Sequence, residues 1–411
     1  MHCLASPIVP LQPDVPYTDS NPNKVLWTPT SGKFPQPERA GLGASILGPQ
    51  NVPMDRQNAD LLAPPTTDNG EVRNFKWPFS FSHSRLTHGG WARQQNVHDM
   101  PLAADIAGVN MRLEVEQIRE LHWHTAAEWA YVLKGDLRIS TITSEGEVWL
   151  GDVSEGDLWY FPAGNPHSIQ AKDTAAGGAE FLLIFDSGNF SEDSTFLLTD
   201  WLAHVPKSVI AKNFGLDGDL QAFDHIPEHE LYIFPSLPPP EEINEDVIIP
   251  NNAPNPFTFQ FSKVVPDKKL GGTVKIVDSR TFTASEKIAA AEVELEAGGL
   301  RELHWHPTQP EWTFFICGQA RITLFASSSN AATYDFYPGD IAYIPPSFGH
   351  YIENIGNTVF DRSFFLSIDV FQDISLTQWL ALTPPELVKA HLGFSDKLIA
   401  SLSKEKQTLV K

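Results

Sequence analysis

Arg119-Glu-Leu-His122-Trp-His124-Thr-Ala-Ala-Glu128-Trp recurs downstream as Arg301-Glu-Leu-His304-Trp-His306-Pro-Thr-Gln-Pro-Glu311-Trp. Each stretch is followed by Gly-Asp, a Tyr, a Pro and one further histidine, His167 in the first copy and His350 in the second. The spacing between copies is 182 residues from His122 to His304 and 183 from His167 to His350. Core packing does not call for three imidazoles and a carboxylate twice over. The repeat reads as two metal sites on two copies of one domain.

The spacing within each copy fits strands. Side chains alternate faces along a strand, so His122 and His124 point the same way, as do His304 and His306. Glu128 returns to that face after a short bend, and His167 arrives from a distant strand after Phe161-Pro-Ala-Gly-Asn-Pro. Glu311 and His350 repeat this, with one extra residue in Pro307-Thr-Gln-Pro lengthening the bend. Three imidazoles and one carboxylate suit a divalent first-row ion. The absence of a nearby thiolate argues against a structural zinc site. The carboxylate favours an octahedral ion such as manganese or ferrous iron, with two adjacent positions left for substrate, water or dioxygen.

Around these motifs run short strand-like segments cut by turns, among them Ala130-Tyr-Val-Leu, Leu137-Arg-Ile-Ser-Thr-Ile, Glu180-Phe-Leu-Leu-Ile-Phe, Thr313-Phe-Phe-Ile and Ile341-Ala-Tyr-Ile. This spacing predicts an antiparallel sandwich or barrel in each half. A helical segment over Leu198–Lys212 closes the first copy and one over Thr377–Lys389 closes the second. Trp201 and Trp379 occupy matching places in them and read as core anchors that dock the helices. The expected division is an extended, Pro- and Gly-rich arm over 1–75, a first domain over 76–233, a Pro-stiffened linker over 234–256 and a second domain over 257–411.

The chain has 411 residues and 42% hydrophobic composition, enough for two globular domains. Its formal charge of −22 argues against nucleic-acid and anionic-membrane partners. No apolar run reaches membrane-spanning length. Met1-His-Cys-Leu-Ala-Ser-Pro-Ile-Val-Pro lacks the basic start and apolar stretch of a signal peptide, so the chain is read as intracellular or as an exported protein without its signal. Cys3 and Cys317 do not make a disulfide framework, and Cys317, in an apolar run, is expected to be buried. Asn189-Phe-Ser191 matches a glycosylation acceptor.

The pattern of His-x-His, a nearby Glu and a later Gly-Asp, Pro and His resembles the cupin superfamily. Two such patterns make a bicupin, and the resemblance runs from about residue 75 to the C-terminus. It is nearest to the oxalate decarboxylase family, through His122-Trp-His124, Glu128-Trp-Ala-Tyr and the tail Leu380-Ala-Leu-Thr-Pro-Pro-Glu. The fold this implies is all-β: two double-stranded β-helix (jelly-roll) domains, each ending in a short helical segment. The implied activity is conversion of oxalate to formate and carbon dioxide, with two manganese ions per chain and dioxygen as cofactors, in a trimer or hexamer.

The resemblance also assigns roles. Arg119 and Arg301 would contact substrate, although an odd offset from His122 and His304 puts them on the wrong face unless a bulge intervenes. The stretch Ser191-Glu192-Asp193-Ser194-Thr195 matches the family's lid, and Glu192 would hand a proton to the one-carbon fragment left after the carbon–carbon bond breaks. Without that acid the same site would favour oxidation to carbon dioxide and hydrogen peroxide. The same five residues also make a good helix N-cap. The second copy has no such stretch and no clear Glu near Asp361–Ser367, so it is expected to bind metal and turn over little oxalate. Trp123 and Trp305 read as wall packing, with an electron relay as an additional role. The alternatives are an oxalate oxidase, a storage-type bicupin, which typically lacks the histidines, and a metal-dependent dioxygenase.

Overall fold

The structure, a computed structural model, describes residues 38–39, 42–43, 47–49, 51–55, 67–174, 176–216, 218–246, 252–357, 361–367 (backbone only) and 370–411. Most of the expected N-terminal arm, Cys3 and Asp369 lie outside the described residues.

Among the described residues each copy is built around two antiparallel sheets, one of six strands and one of seven. The apolar runs explain why. In Ala179–Phe185, side chains Phe181, Leu183 and Phe185 enter the core between the copy's own two sheets. Leu182 and Ile184 point the other way, into a second core that joins the two copies. A strand buried on both faces reads as a continuous apolar run, and this one does. The strand Glu128–Lys134 divides likewise: Ala130 and Val132 face its own core, while Trp129 and Tyr131 face the other copy. Glu311–Cys317 mirrors it, with Trp312 and Phe314 in the shared core and Phe315 in its own.

This parity fixes the metal carboxylates. Glu128 shares a face with Ala130 and Val132, so it points into its own barrel while its neighbour Trp129 points to the other copy. Glu311 and Trp312 divide in the same way. The shared core closes tightly: a Cβ on Gly108 would lie 2.3 Å from the Trp312 ring. Trp312 Nε1 donates to Gln95 Oε1 at 2.8 Å, and Tyr131 donates to Glu292 at 2.8 Å.

The copies also trade edge strands. Lys76–Pro78 pairs with Asp340–Ala342 of the second copy, and Thr258–Phe259 pairs with Leu158–Trp159 of the first. A buried ion pair, Lys76 to Asp340 at 2.9 Å, and the bonds of Asp68 to Thr333 fasten the end of the arm to the second copy.

Several details differ from the sequence reading. The first helical segment is two helices, Leu198–Ala203 and Lys207–Asn213, because Pro206 cannot continue a helix and instead precedes the second one. Trp201 and Trp379 are 57% and 54% exposed in the single chain rather than core residues; each meets the metal strand edge-on, at Trp123 and Trp305. Cys317 is only partly buried, because it falls where Glu311–Cys317 slips register against Asp361–Ser367 at the strand's end. Phe234 and Pro235, read as linker, extend a strand, Ile233–Pro235, that pairs with Gln117–Arg119.

Candidate metal centre and its covering acid

His122, His124, Glu128 and His167 converge on one buried point, and His304, His306, Glu311 and His350 on another; within each set the ligand atoms lie within 4.8 Å of one another. His122 lies on Gln117–Trp123, Glu128 opens Glu128–Lys134 and His167 opens His167–Ala171. His167 stands directly opposite His122, as His350 does opposite His304. All eight predicted ligands therefore meet as two sets of four.

Backbone carbonyls orient every imidazole. In the first set Nδ1 of His122, His124 and His167 faces the carbonyls of Glu120, Ala126 and Asn165 at 2.5, 2.7 and 2.8 Å. In the second, Nδ1 of His304, His306 and His350 faces those of Glu302, Gln372 and Phe348 at 2.7, 2.7 and 2.9 Å. A carbonyl only accepts, so each Nδ1 carries the proton and each Nε2 turns a lone pair inward. His167 Nε2 is buried without a hydrogen-bond partner, 3.5 Å from Glu128 Oε2. An orphaned lone pair amid three others is what a cation would satisfy, so the donor set fits a divalent metal.

Electrostatics agree. Burial, and then the nearby charge of Arg119, push the His122 imidazole well below its ordinary value; burial and Arg301 do the same for His304. Burial opposes charge on Glu128, but the neighbouring His124 and His167 imidazoles outweigh it and hold the carboxyl below its ordinary range. Glu311 is held low by His350 and His306 against the same penalty. His122 and His304 are thus kept neutral and both carboxylates ionised, as metal ligation requires. The outer carboxylate oxygens have different partners: Trp159 Nε1 donates to Glu128 Oε1 at 2.9 Å, and the Thr313 hydroxyl donates to Glu311 Oε1 at 2.7 Å.

The bulge that Arg119 needs is present. His167 pairs with His122 and Ile169 with Arg119, so three steps on one strand oppose two on the other. The extra residue flips the alternation and turns Arg119 inward. Arg301 is turned by the same slip between Arg301 and His304. Both guanidiniums are buried.

Glu192 is buried in a single turn, Glu192–Ser194, capped by Ser191, which accepts from the Asp193 N–H; the helix Leu198–Ala203 starts after Leu197 and takes no side-chain cap from this stretch. Glu192 Oε2 accepts from Arg119 Nη2 at 3.1 Å and from the Tyr232 hydroxyl at 2.9 Å. Tyr232 also lies under the Arg119 guanidinium, 4.1 Å from ring centroid to carbon, and offers its carbonyl to Nη1 at 3.5 Å. Sequence reasoning missed Tyr232; the only trace was the apolar Leu231-Tyr-Ile-Phe run beside the proline-rich segment.

The second copy carries an acid after all. Asp373, just before the closing helix, pairs with both Arg301 and Lys406, and Thr408 offers its carbonyl to Arg301 at 3.2 Å. Asp361–Ser367 holds no Glu, as expected, and the acid comes from the loop that follows it. Burial raises the Asp373 carboxyl, but Arg301 and Lys406 override it and bring it down to about 2. Trp123 and Trp305 point away from the ligands, toward Phe196 and Trp201 and toward Trp379.

Comparison with known proteins agrees with this geometry. The family described as Cupin matches residues 81–221 and 264–400. Oxalate decarboxylase OxdC of Bacillus subtilis (strain 168) is 48% identical over 382 residues, 92% of this chain and 97% of that protein. A probable oxalate decarboxylase of Arthroderma benhamiae is 39% identical over 393 residues, 93% of this chain and 95% of that one. A solved structure of the Bacillus subtilis oxalate decarboxylase, concerned with its Mn(II) centres, aligns with a TM-score of 0.87 at 47% identity, covering 92% of this chain and 100% of that one. Two cupin matches, two sets of three histidines and a glutamate, and identity along nearly the whole length lead to one conclusion: the chain belongs to the bicupin oxalate decarboxylase family.

Proposed function

We propose that this chain converts oxalate to formate and carbon dioxide at the first site, with manganese and dioxygen as cofactors and Glu192 as proton donor. The observation that carries the reading is the buried contact of Glu192 with Arg119 beside the His122, His124, Glu128 and His167 set. When held by those four residues, manganese with dioxygen supplies the reversible one-electron chemistry that loosens the carbon–carbon bond. Arg119 gives a substrate carboxylate a buried guanidinium to bind, in exchange for Glu192. The bond breaks with its electron pair left on the remaining carbon, carbon dioxide departs, and that carbon takes one proton. Glu192 supplies it, and Tyr232 holds the carboxyl in place through its hydroxyl. The dianion therefore consumes one proton per turnover, with no net oxidation.

The second site holds metal and turns over little oxalate. Its cation, Arg301, is already paired with Asp373, which Lys406 also grips, so substrate would have to displace a doubly held carboxylate. The chain assembles as a trimer or hexamer. The support is the exposed apolar side chains on and just after the helical segments, Trp201, Phe214 and Leu216 in the first copy and Trp379, Leu382 and Leu387 in the second. Among the described residues no helix is long and apolar enough to cross a membrane.

Metal analysis of the purified chain, with formate, carbon dioxide and peroxide measured per oxalate, tests the proposal. About two manganese per chain and one formate per oxalate support it. Peroxide in place of formate would make the chain an oxidase. No oxalate consumption by the metal-loaded chain would refute both.

A further inference from the structure

We propose that Gln94 is a positioning residue whose carboxamide latches the Glu192 turn in its inward position and so sets how oxalate divides between formate and full oxidation. The inference rests on the reading of Glu192 as proton donor.

Gln94 lies on the strand Gly90–Gln95, opposite Val109. Its Oε1 accepts from the Glu192 N–H at 2.9 Å, and its Nε2 donates to Ser191 Oγ at 3.3 Å. One carboxamide therefore grips two consecutive residues at the tip of the covering segment. The strand's continuation holds the approach to that tip: Asn96 Nδ2 donates to the Phe190 carbonyl at 3.1 Å, and the Val97 N–H donates to the Gly188 carbonyl at 2.8 Å. Arg85 faces Asp193 at 3.8 Å and lies 3.6 Å over the ring of Tyr232, whose hydroxyl meets Glu192. Gln94, Arg85, Ser191, Glu192 and Asp193 all border one cavity of about 340 Å³. Water reaching that cavity can replace the carboxamide, so the grip is reversible, as a segment that must release and reseat requires.

The internal repeat supplies the control. Ala92 stands opposite Met111 as Val274 stands opposite Val293, which equates the two strands residue for residue. Gln94 then corresponds to Ile276, which has no hydrogen-bonding side chain, and Arg85 corresponds to Asp267, of opposite charge. The second copy has no Ser-Glu-Asp-Ser-Thr turn. The gripping side chains occur in the copy that has the turn and are replaced in the copy that lacks it. Strand packing alone would be served equally by Ile or Gln.

The test uses the manganese-loaded chain with two substitutions. Gln94→Met keeps the shape and removes both hydrogen bonds. Gln94→Glu keeps an acceptor for the Glu192 N–H and for the Ser191 hydroxyl. Two hydrogen bonds of ordinary net strength are worth roughly tenfold to thirtyfold in a two-state balance. Hydrogen exchange of peptides spanning 188–197 is expected to quicken by about that factor in Gln94→Met and to stay near the native rate in Gln94→Glu. The peroxide share of products is expected to rise several-fold in Gln94→Met, with kcat for formate falling more than KM rises. Native exchange, or quickened exchange with an unmoved product ratio, overturns the latch. Glu192→Gln, run alongside, locates the failure. If it leaves formate unchanged, the reading of Glu192 is at fault; if it abolishes formate while Gln94→Met keeps the native formate rate and product ratio, the latch alone is wrong.

Discussion

The two metal sites can be weakened one at a time, because their carboxylates lean on different outer partners. Glu128 Oε1 accepts from the Trp159 indole at 2.9 Å, whereas Glu311 Oε1 accepts from the Thr313 hydroxyl at 2.7 Å. Trp159→Phe and Thr313→Val each remove one donor from a buried carboxylate; the second also conserves volume. A hydrogen bond to a charged group is worth about 1.5–3 kcal/mol, and loss of such an outer partner lowers metal affinity by roughly 10–100-fold. Trp159→Phe should therefore weaken one of the two manganese sites by about that factor, and Thr313→Val the other. Titration of the metal-free chain with manganese, followed by calorimetry or by the ion's paramagnetic resonance, resolves the two. Formate release at limiting manganese then assigns function: it should fall with Trp159→Phe and hold with Thr313→Val. Equal losses from both substitutions would refute the division of labour between the copies. Unchanged affinities would refute the role given to the outer donors.

Further expectations concern stability. In the metal-free chain His122, His304 and His167 are held neutral, chiefly by burial, and each binds a proton on unfolding. Their folded values lie below the ordinary one, so stability should fall as pH drops below about 6.5, by roughly 1.4 kcal/mol per unit for each imidazole. Urea midpoints at pH 7 and pH 5 check this, and equal midpoints would contradict it. Asp373→Asn strands Arg301 and Lys406 without their common carboxylate; breaking such a buried group costs about 3–5 kcal/mol. Its folded value is depressed to about 2, so the contribution is present above the ordinary Asp value and lost as pH falls toward 2. Thermal melts of native and Asp373→Asn chains at pH 7 should show the loss.

Much of this was legible in the residues. The His-x-His alternation and the constant offset gave both ligand sets, because strand parity is a strict period of two. The apolar runs marked the strands buried on both faces. Arg119 showed the limit of parity: the need for a bulge could be stated, but bulges arise from how two distant strands register, and His167 has to be placed before the slip is visible. Asp373 and Tyr232 were missed for a related reason. Each reaches its arginine from a loop or short strand whose docking is decided by tertiary contacts rather than by local pattern. Gln94 gave no signal, since a polar residue in an edge-like strand is commonplace until the segment lying against it is known. Trp201 and Trp379 misled in the opposite direction, because large aromatics are usually core and these two remain half exposed in the single chain.

The account's central claim is that Glu192 delivers the proton that turns a carbon–carbon cleavage into formate. Formate and hydrogen peroxide released per oxalate by the manganese-loaded Glu192→Gln chain test it most directly. Loss of a positioned general acid predicts a formate rate down by about 10²–10⁴-fold, with peroxide rising as a share of product and manganese content unchanged. Native formate release from Glu192→Gln would contradict the claim.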